Sequence, residues 1–120
     1  MELPDNITAI ETEAFAYCPS LSNVLIPHKV TKLGNACFYG CTGLSQIIIP
    51  ASVEEMGNNV FYGCKNLKDV KVMPVIPPQI HEGTFANTSS ELKIYCLADS
   101  LDVYKTELFW KEYANKIVTL

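Results

Sequence analysis

A repeat of about 23 residues, lengthened by one in the last unit, runs through this sequence and restricts its fold more than any other feature. A proline, a large apolar residue and a phenylalanine return once in each repeat, always at the same spacing from one another. The proline column is Pro4, Pro27, Pro50 and Pro74, the apolar column is Ile10, Leu33, Met56 and Ile80, and the phenylalanine column is Phe15, Phe38, Phe61 and Phe85. Because many columns share one period, we predict that each repeat is one structural unit that stacks on the next.

Each unit contains a short segment in which inward and outward positions alternate, as expected for a strand with one buried face. In the segment Gln46-Ile47-Ile48-Ile49, we predict that Ile47 and Ile49 point inward and that Ile48 points outward. A proline ends this strand, since it cannot donate a backbone hydrogen bond, and we place the extra residue of the last unit near Met73. The pattern predicts an α/β-type repeat solenoid of mostly short strands and loops, in which stacked units share one core.

Another column of the repeat predicts where each unit turns. Gly40, Gly63 and Asn87 share a phase just before the cysteine column, and all three residues tolerate a positive φ angle. A tight turn is therefore expected at this position of each unit, although Tyr17 breaks the residue pattern in the first unit.

Three of the five cysteines, Cys18, Cys41 and Cys64, occupy one column of the repeat. Equivalent residues of stacked strands lie about 4.8 Å apart but project in parallel, whereas a disulfide requires Cβ atoms about 3.8 Å apart with a fixed twist. A linear row also does not supply the converging ligands of a zinc site. We therefore predict a row of buried thiols with no metal and no cofactor, and we expect Cys37 and Cys96 to be buried as well.

Charge and motif content argue against several functional classes. The net charge is −4 and all nine basic residues are lysines, which disfavours nucleic acid as a partner because its recognition uses clustered cations and bidentate arginines. His28 and His81 are the only histidines, and no motif frames them as catalytic or metal-binding residues. The sequence also has no glycine-rich phosphate loop and no nucleophile elbow. We expect neither an enzyme nor a small-molecule substrate.

One unit of the repeat has the pattern Ile49-Pro50-x-x-Val53-x-x-Met56-Gly57-x-x-Val60-Phe61-x-Gly63-Cys64-x-x-Leu67-x-x-Val70-x-Val72. This pattern resembles the BspA-type leucine-rich repeat, and the resemblance covers about residues 1–97. It implies a leucine-rich-repeat right-handed solenoid with one parallel sheet. It also implies a bacterial cell-surface or secreted protein that adheres to a protein partner, such as a host matrix protein or another cell-surface protein.

Residues 98–120 depart from the repeat, and we predict that they form a C-terminal cap on about four units in residues 1–97. This tail resembles the terminal unit of bacterial family members, with a short helix and a last strand. The last unit of a stack exposes its core unless a polar-backed segment covers it. Asp99 or Ser100 is the expected N-cap of the helix. The residues expected to cover the open end are Leu101, Tyr104, Phe109, Trp110 and Tyr113.

At the other end of the sequence, Met1 and Leu3 are in phase with Val24 and Ile26. We therefore expect the chain to begin inside a strand and to be part of a longer array. An exposed strand edge at this end can pair with a second copy, so edge-mediated self-association is expected.

The outward residues of the strands form the surface that we predict to bind a protein partner. Its two columns are Leu25, Ile48, Lys71 and Tyr95, and Asn23, Gln46, Asp69 and Lys93. Leu25 and Ile48 form a small apolar patch of the kind that often marks contacts, and Tyr95 is of a residue type enriched at interfaces. The alternative is that strand positions simply favour aliphatic residues. In that case the chain is a structural spacer and C-terminal cap with no ligand site of its own.

Overall fold

The computed structural model describes residues 2–120, so the predicted alignment of Met1 with Val24 lies outside the described residues. The strands are β1 (Ala9–Ile10), β2 (Lys32–Leu33), β3 (Gln46–Ile49), β4 (Glu55–Met56), β5 (Asp69–Val72), β6 (Lys93–Cys96) and β7 (Ile117–Thr119). An α-helix, α1 (Leu101–Thr106), lies between the 3-10 helices Ala98–Ser100 and Trp110–Lys116. Within the part of the chain that the structure describes, no helix has the length and apolar character needed to cross a membrane.

The strands form two parallel sheets, so the expectation of one parallel sheet is wrong. The sheet β3-β5-β6-β7 contains the alternating segments of three units and the last strand, as predicted, whereas residues 23–26 of the first unit lie outside any named strand. The sheet β1-β2-β4 is additional. The additional sheet forms because the apolar column that follows each proline is also extended and pairs between units. Its inward residues are Ile10, Leu33 and Met56. Each of these units therefore contains a second short strand. At this position the sequence pattern showed only a pair of apolar residues.

The strand register confirms the period and locates its one extra residue. Ile49 pairs with Val72, which is the partner that the regular period assigns to it. Glu55 bridges to Gln79, one position beyond the partner that the same period would assign. The extra residue therefore lies between Val72 and Gln79, where Met73 was predicted to be.

The turn column is confirmed, because Gly40, Gly63 and Asn87 have positive φ angles of 68°, 76° and 55°. Tyr17 adopts the same conformation, with φ 59°, although its side chain breaks the pattern. A second column with positive φ was not predicted and consists of Glu13, Ala36, Asn59 and Gly83. Only one of its members is a glycine, so residue type gave little indication of the left-handed backbone.

Four phenylalanine rings form one continuous column through the core. The centroid separations are 5.6 Å for Phe15–Phe38, 5.5 Å for Phe38–Phe61 and 5.7 Å for Phe61–Phe85, and the ring planes are within 9° of parallel. Near-parallel rings at this separation are offset-stacked, which is a favourable aromatic geometry. The column ends against the C-terminal segment, where Trp110 lies 5.9 Å from Phe85.

Three side-chain hydrogen bonds fasten residues 98–120 to residues 74–78, which follow β5. They run from Ser100 Oγ to the Val75 carbonyl (2.7 Å), from Tyr104 Oη to the Pro74 carbonyl (2.7 Å) and from Trp110 Nε1 to the Pro78 carbonyl (2.8 Å). Ser100 occupies the N-cap position of α1, but its side chain makes no capping bond there. Ser100 is therefore at the expected position, but the expected capping hydrogen bond is absent, and the hydroxyl instead donates to the loop carbonyl.

Candidate functional site

The strand register places the outward residues predicted to bind a partner side by side. We use the name strand face for Asn23, Leu25, Gln46, Ile48, Asp69, Lys71, Lys93 and Tyr95. One row across the sheet is Gln46, Asp69 and Lys93, and the next row is Ile48, Lys71 and Tyr95. Asn23 and Leu25 precede β3 outside any named strand, and Leu25 makes an isolated parallel bridge to Glu2.

Six of the eight strand-face residues line one cavity of about 400 Å³. These six are Asn23, Leu25, Gln46, Ile48, Asp69 and Lys71, with Val24 and Ile47 completing the lining. The volume is within the range of about 300–1,000 Å³ that is usual for ligand sites. Leu25 is 67% exposed and Ile48 is 47% exposed, so the cavity presents two large aliphatic side chains to solvent. Partner binding by these residues stays a prediction.

Tyr95 and Asp69 are joined across the outer surface of β5 and β6. The Tyr95 hydroxyl donates a hydrogen bond to Asp69 Oδ1 over 3.2 Å. Desolvation and the neighbouring Asp69 carboxylate raise the pKa of Tyr95 above its ordinary value. The hydrogen bond holds the aromatic ring at the edge of the strand face.

The cysteine column forms a row of hydrogen-bonded thiols. Cys41 Sγ donates to the Phe15 carbonyl and Cys64 Sγ donates to the Phe38 carbonyl, each over 3.1 Å. Both thiols are buried, and burial raises the pKa of Cys64 to about 12. Cys37 and Cys96 are also buried, as predicted, whereas Cys18 is only partly buried. Between residues 2 and 120, no group of three or more His, Cys, Asp or Glu residues is arranged to hold a metal ion.

We expect alkylation of the folded chain at about pH 8 to be largely restricted to Cys18. The thiolate is the reactive form, and burial of Cys41 and Cys64 disfavours both its formation and its contact with the reagent. Peptide mapping after brief iodoacetamide treatment measures this directly, and the chain unfolded in guanidinium, where all five cysteines are accessible, is the control. Rapid labelling of Cys64 in the folded chain would contradict the structural role of this row.

A stack of tyrosines on the outside of the units was not predicted from the sequence. The ring centroids of Tyr17 and Tyr39 are 5.3 Å apart, and those of Tyr39 and Tyr62 are 5.0 Å apart. Tyr39 and Tyr62 share a phase of the repeat, which was a readable signal. Tyr17 belongs to the neighbouring turn column, and its ring reaches across Gly40 to extend the stack. No periodic pattern indicated that contact.

A second exposed apolar pair, Val75 and Ile76, was also missed. Their side chains are 65% and 79% exposed on the loop between β5 and β6. The pair follows Pro74 and is in phase with Ala51 and Ser52, so two aliphatic residues stand where the preceding unit has two small ones. These residues lie outside the strand face and provide a comparison surface of similar chemistry.

Two comparisons with known proteins bear on this chain. The family model described as BspA type Leucine rich repeat region (6 copies) matches residues 1–116. The search of curated proteins found no match. The matched region includes every strand-face residue and most of residues 98–120.

Proposed function

Since this chain belongs to the family of BspA-type leucine-rich repeat proteins, we propose that it is a protein-interaction module whose strand face binds another protein. The observation that carries the proposal is the cavity shared by six outward residues from three successive units. Stacked repeats create extended surfaces that are commonly used to bind partners. No single unit contains the site, because each of the three units contributes only two of the six strand-face residues that line the cavity.

The chemistry of the strand face suits a protein surface. Leu25 and Ile48 offer aliphatic area, and Tyr95 adds an aromatic ring of the kind enriched in interfaces. Asp69 and Lys71 lie beside this apolar area with opposite charges, so the site favours a partner of mixed charge over a polyanion.

We further propose that the chain is a right-handed solenoid that acts at the bacterial cell surface or outside the cell. Parallel pairing between equivalent positions of successive units supports the stacked coil, and the family is generally surface-attached or secreted. The partner class is then a host matrix protein or another cell-surface protein. The function proposed is adhesion rather than catalysis. The division into residues 1–97 and 98–120 and the edge-mediated self-association both stay predictions.

The double substitution Leu25→Glu with Ile48→Glu is expected to weaken binding to a purified matrix protein by at least about tenfold. Burying one large aliphatic side chain contributes roughly 1.5–3 kcal/mol, and about 1.4 kcal/mol corresponds to a factor of ten in affinity. The measurement is surface plasmon resonance of the folded chain against a panel of purified extracellular-matrix proteins.

A matched control is the double substitution Val75→Glu with Ile76→Glu, which adds the same charge to two aliphatics that are at least as exposed. We expect this control to bind like the unaltered chain. Equal affinities of all three proteins would exclude the strand face as the binding site. Failure of the unaltered chain to bind any protein of the panel would count against matrix adhesion.

The alternative function is a structural spacer and cap for a longer array. The observation that favours it concerns Tyr104 and Trp110. Both side chains are buried, and each donates a hydrogen bond that fastens residues 98–120 to the rest of the chain. If this is the whole function, the strand-face substitutions leave binding unchanged, and the large effects of substitution are on folding alone.

A further inference from the structure

One edge of β3 carries backbone groups that have no strand partner. β3 is the outermost strand of the sheet β3-β5-β6-β7, so only one of its two edges is paired. The hydrogen bond from Met73 N–H to the Ile49 carbonyl (3.0 Å) places the polar backbone groups of Ile49 on the β5 side. Because alternate residues face opposite edges of a strand, Gln46 and Ile48 direct their N–H and C=O groups toward residues 24–26. In the described chain, no backbone hydrogen bond joins residues 24–26 to β3.

A proline removes one of the backbone bonds that could close this opening. Met73 donates the bond that closes the ladder between β3 and β5 at its end. The equivalent residue one unit earlier is Pro50, which has no N–H and cannot donate to the carbonyl of Ile26. Consistent with a looser junction, Val24 is only half-buried, whereas its equivalent Ile47 is 3% exposed.

The opening is confined to the strand face, because the same two units are closely bonded elsewhere. These bonds run from Thr31 N–H to the Thr8 carbonyl (2.8 Å), from Gly34 N–H to the Ile10 carbonyl (2.7 Å) and from Phe15 N–H to the Cys37 carbonyl (2.8 Å). The cavity of about 400 Å³ lies at the opening and is lined from both sides, by Leu25 and by Ile48. The two units are thus fixed to each other while the edge of β3 stays unpaired.

We propose that an extended peptide segment of a protein partner adds to the open edge of β3. Its backbone hydrogen-bonds to the N–H and C=O groups of Gln46 and Ile48, and its apolar side chain packs between Leu25 and Ile48. The proposal rests on the binding function proposed for the strand face, and it specifies the form in which the partner is bound.

The class of ligand follows from the groups that the edge offers. Gln46 and Ile48 present two donors and two acceptors in a row, which is the template to which another strand pairs. A helix satisfies its own backbone groups along its length and so cannot use this row. Asp69 and Lys71 beside the cavity have opposite charges, so the backbone and the apolar contact, rather than net charge, select the peptide.

Amide hydrogen exchange followed by NMR tests the premise on the full chain without a ligand. We expect the amides of Gln46 and Ile48 to exchange on the order of 100-fold faster than those of Ile47 and Ile49, which bond to β5. Equal protection of all four amides would show that residues 24–26 close the edge, and the proposal would be overturned.

The ligand test uses hexapeptides selected from a random library on the folded chain and then synthesised. Binding of such a peptide is expected to slow exchange of the Gln46 and Ile48 amides. Ile48→Pro removes the free donor but keeps the ladder to β5, since proline is tolerated on a strand edge that faces away from the sheet. We expect it to weaken binding by at least about tenfold, whereas the control Ile48→Val retains affinity.

Several outcomes overturn strand addition. The first is equal affinity of the selected peptide for Ile48→Pro and Ile48→Val, and the second is failure to select any peptide. The third is a dimer of the unaltered chain that Ile48→Pro abolishes, because a second copy of the chain would then occupy the edge. Strand addition and the proposed function fail on different results. Equal binding of a matrix protein by the unaltered chain and by Leu25→Glu with Ile48→Glu overturns the proposed function itself. If matrix-protein binding is lost in Leu25→Glu with Ile48→Glu but kept in Ile48→Pro, the strand face binds protein without adding a strand.

Discussion

Replacing Trp110 with alanine is expected to lower the free energy of unfolding by about 3–5 kcal/mol. The indole is completely buried and joins the last unit of the repeat to residues 98–120. Its ring meets Tyr104 edge-on at 5.0 Å and lies 5.9 Å from Phe85, the end of the phenylalanine column. Because small domains are stable by only about 5–15 kcal/mol, this one change removes a large share of the total.

Two separate losses contribute to this effect. Truncation of the indole leaves a cavity between Tyr104 and Phe85 and removes the dispersion contacts that filled it. It also removes the Nε1 donor, so that the buried bond to the Pro78 carbonyl is lost. An acceptor left unsatisfied in the interior costs roughly 1–3 kcal/mol unless water reaches it.

Urea unfolding followed by circular dichroism measures the change in the free energy of unfolding. Leu108→Ala is the matched control, because Leu108 lies close by in the sequence but is 66% exposed. We expect this control to stay within about 0.5 kcal/mol of the unaltered chain. Similar stabilities of Trp110→Ala and Leu108→Ala would contradict the view that residues 98–120 act as a cap on the core.

The sequence alone was sufficient to predict most of the residues that face the core and the pairing of β3 with β5. Ile47 and Ile49 are buried and Ile48 is exposed because a strand alternates its side chains, and the regular period brings equivalent positions together. Periodicity does not report whether the backbones at those positions are close enough to bond. The sheet β1-β2-β4 and the open edge beside residues 24–26 therefore both emerged only from the structure.

As with the fold, the sequence predicted which residues of the candidate site are neighbours but not how their backbones are bonded. The period placed Leu25 beside Ile48, and the structure puts both in one cavity. The cavity itself was not predicted, since the period does not report which backbone bonds between units are missing, such as the one that Pro50 cannot donate. Tyr95 was predicted as a contact residue, but its bond to Asp69 depends on a diagonal contact between neighbouring strands that a column of equivalent residues does not reveal.

The phenylalanine column is the other place where one substitution should have a large effect. Phe61→Ala is expected to lower the free energy of unfolding by about 3–5 kcal/mol, since the ring is completely buried. Phe61 stacks on Phe38 at 5.5 Å on one side and on Phe85 at 5.7 Å on the other. Each aromatic pair contributes roughly 0.5–1.5 kcal/mol beyond burial, and both pairs are lost together.

Phe15→Ala in the same column separates the stacking between units from the burial within one unit. In a stacked repeat, stability is approximately the sum of the units and of the interfaces between neighbours. Phe61 contributes to two phenylalanine contacts, whereas Phe15 contributes to one, with Phe38, and is only partly buried. We therefore expect Phe15→Ala to cost about half as much as Phe61→Ala or less, measured by urea unfolding with an unchanged dependence on urea concentration. Equal costs at the two positions would mean that the column does not transmit stability from unit to unit, and that each ring acts within its own unit alone.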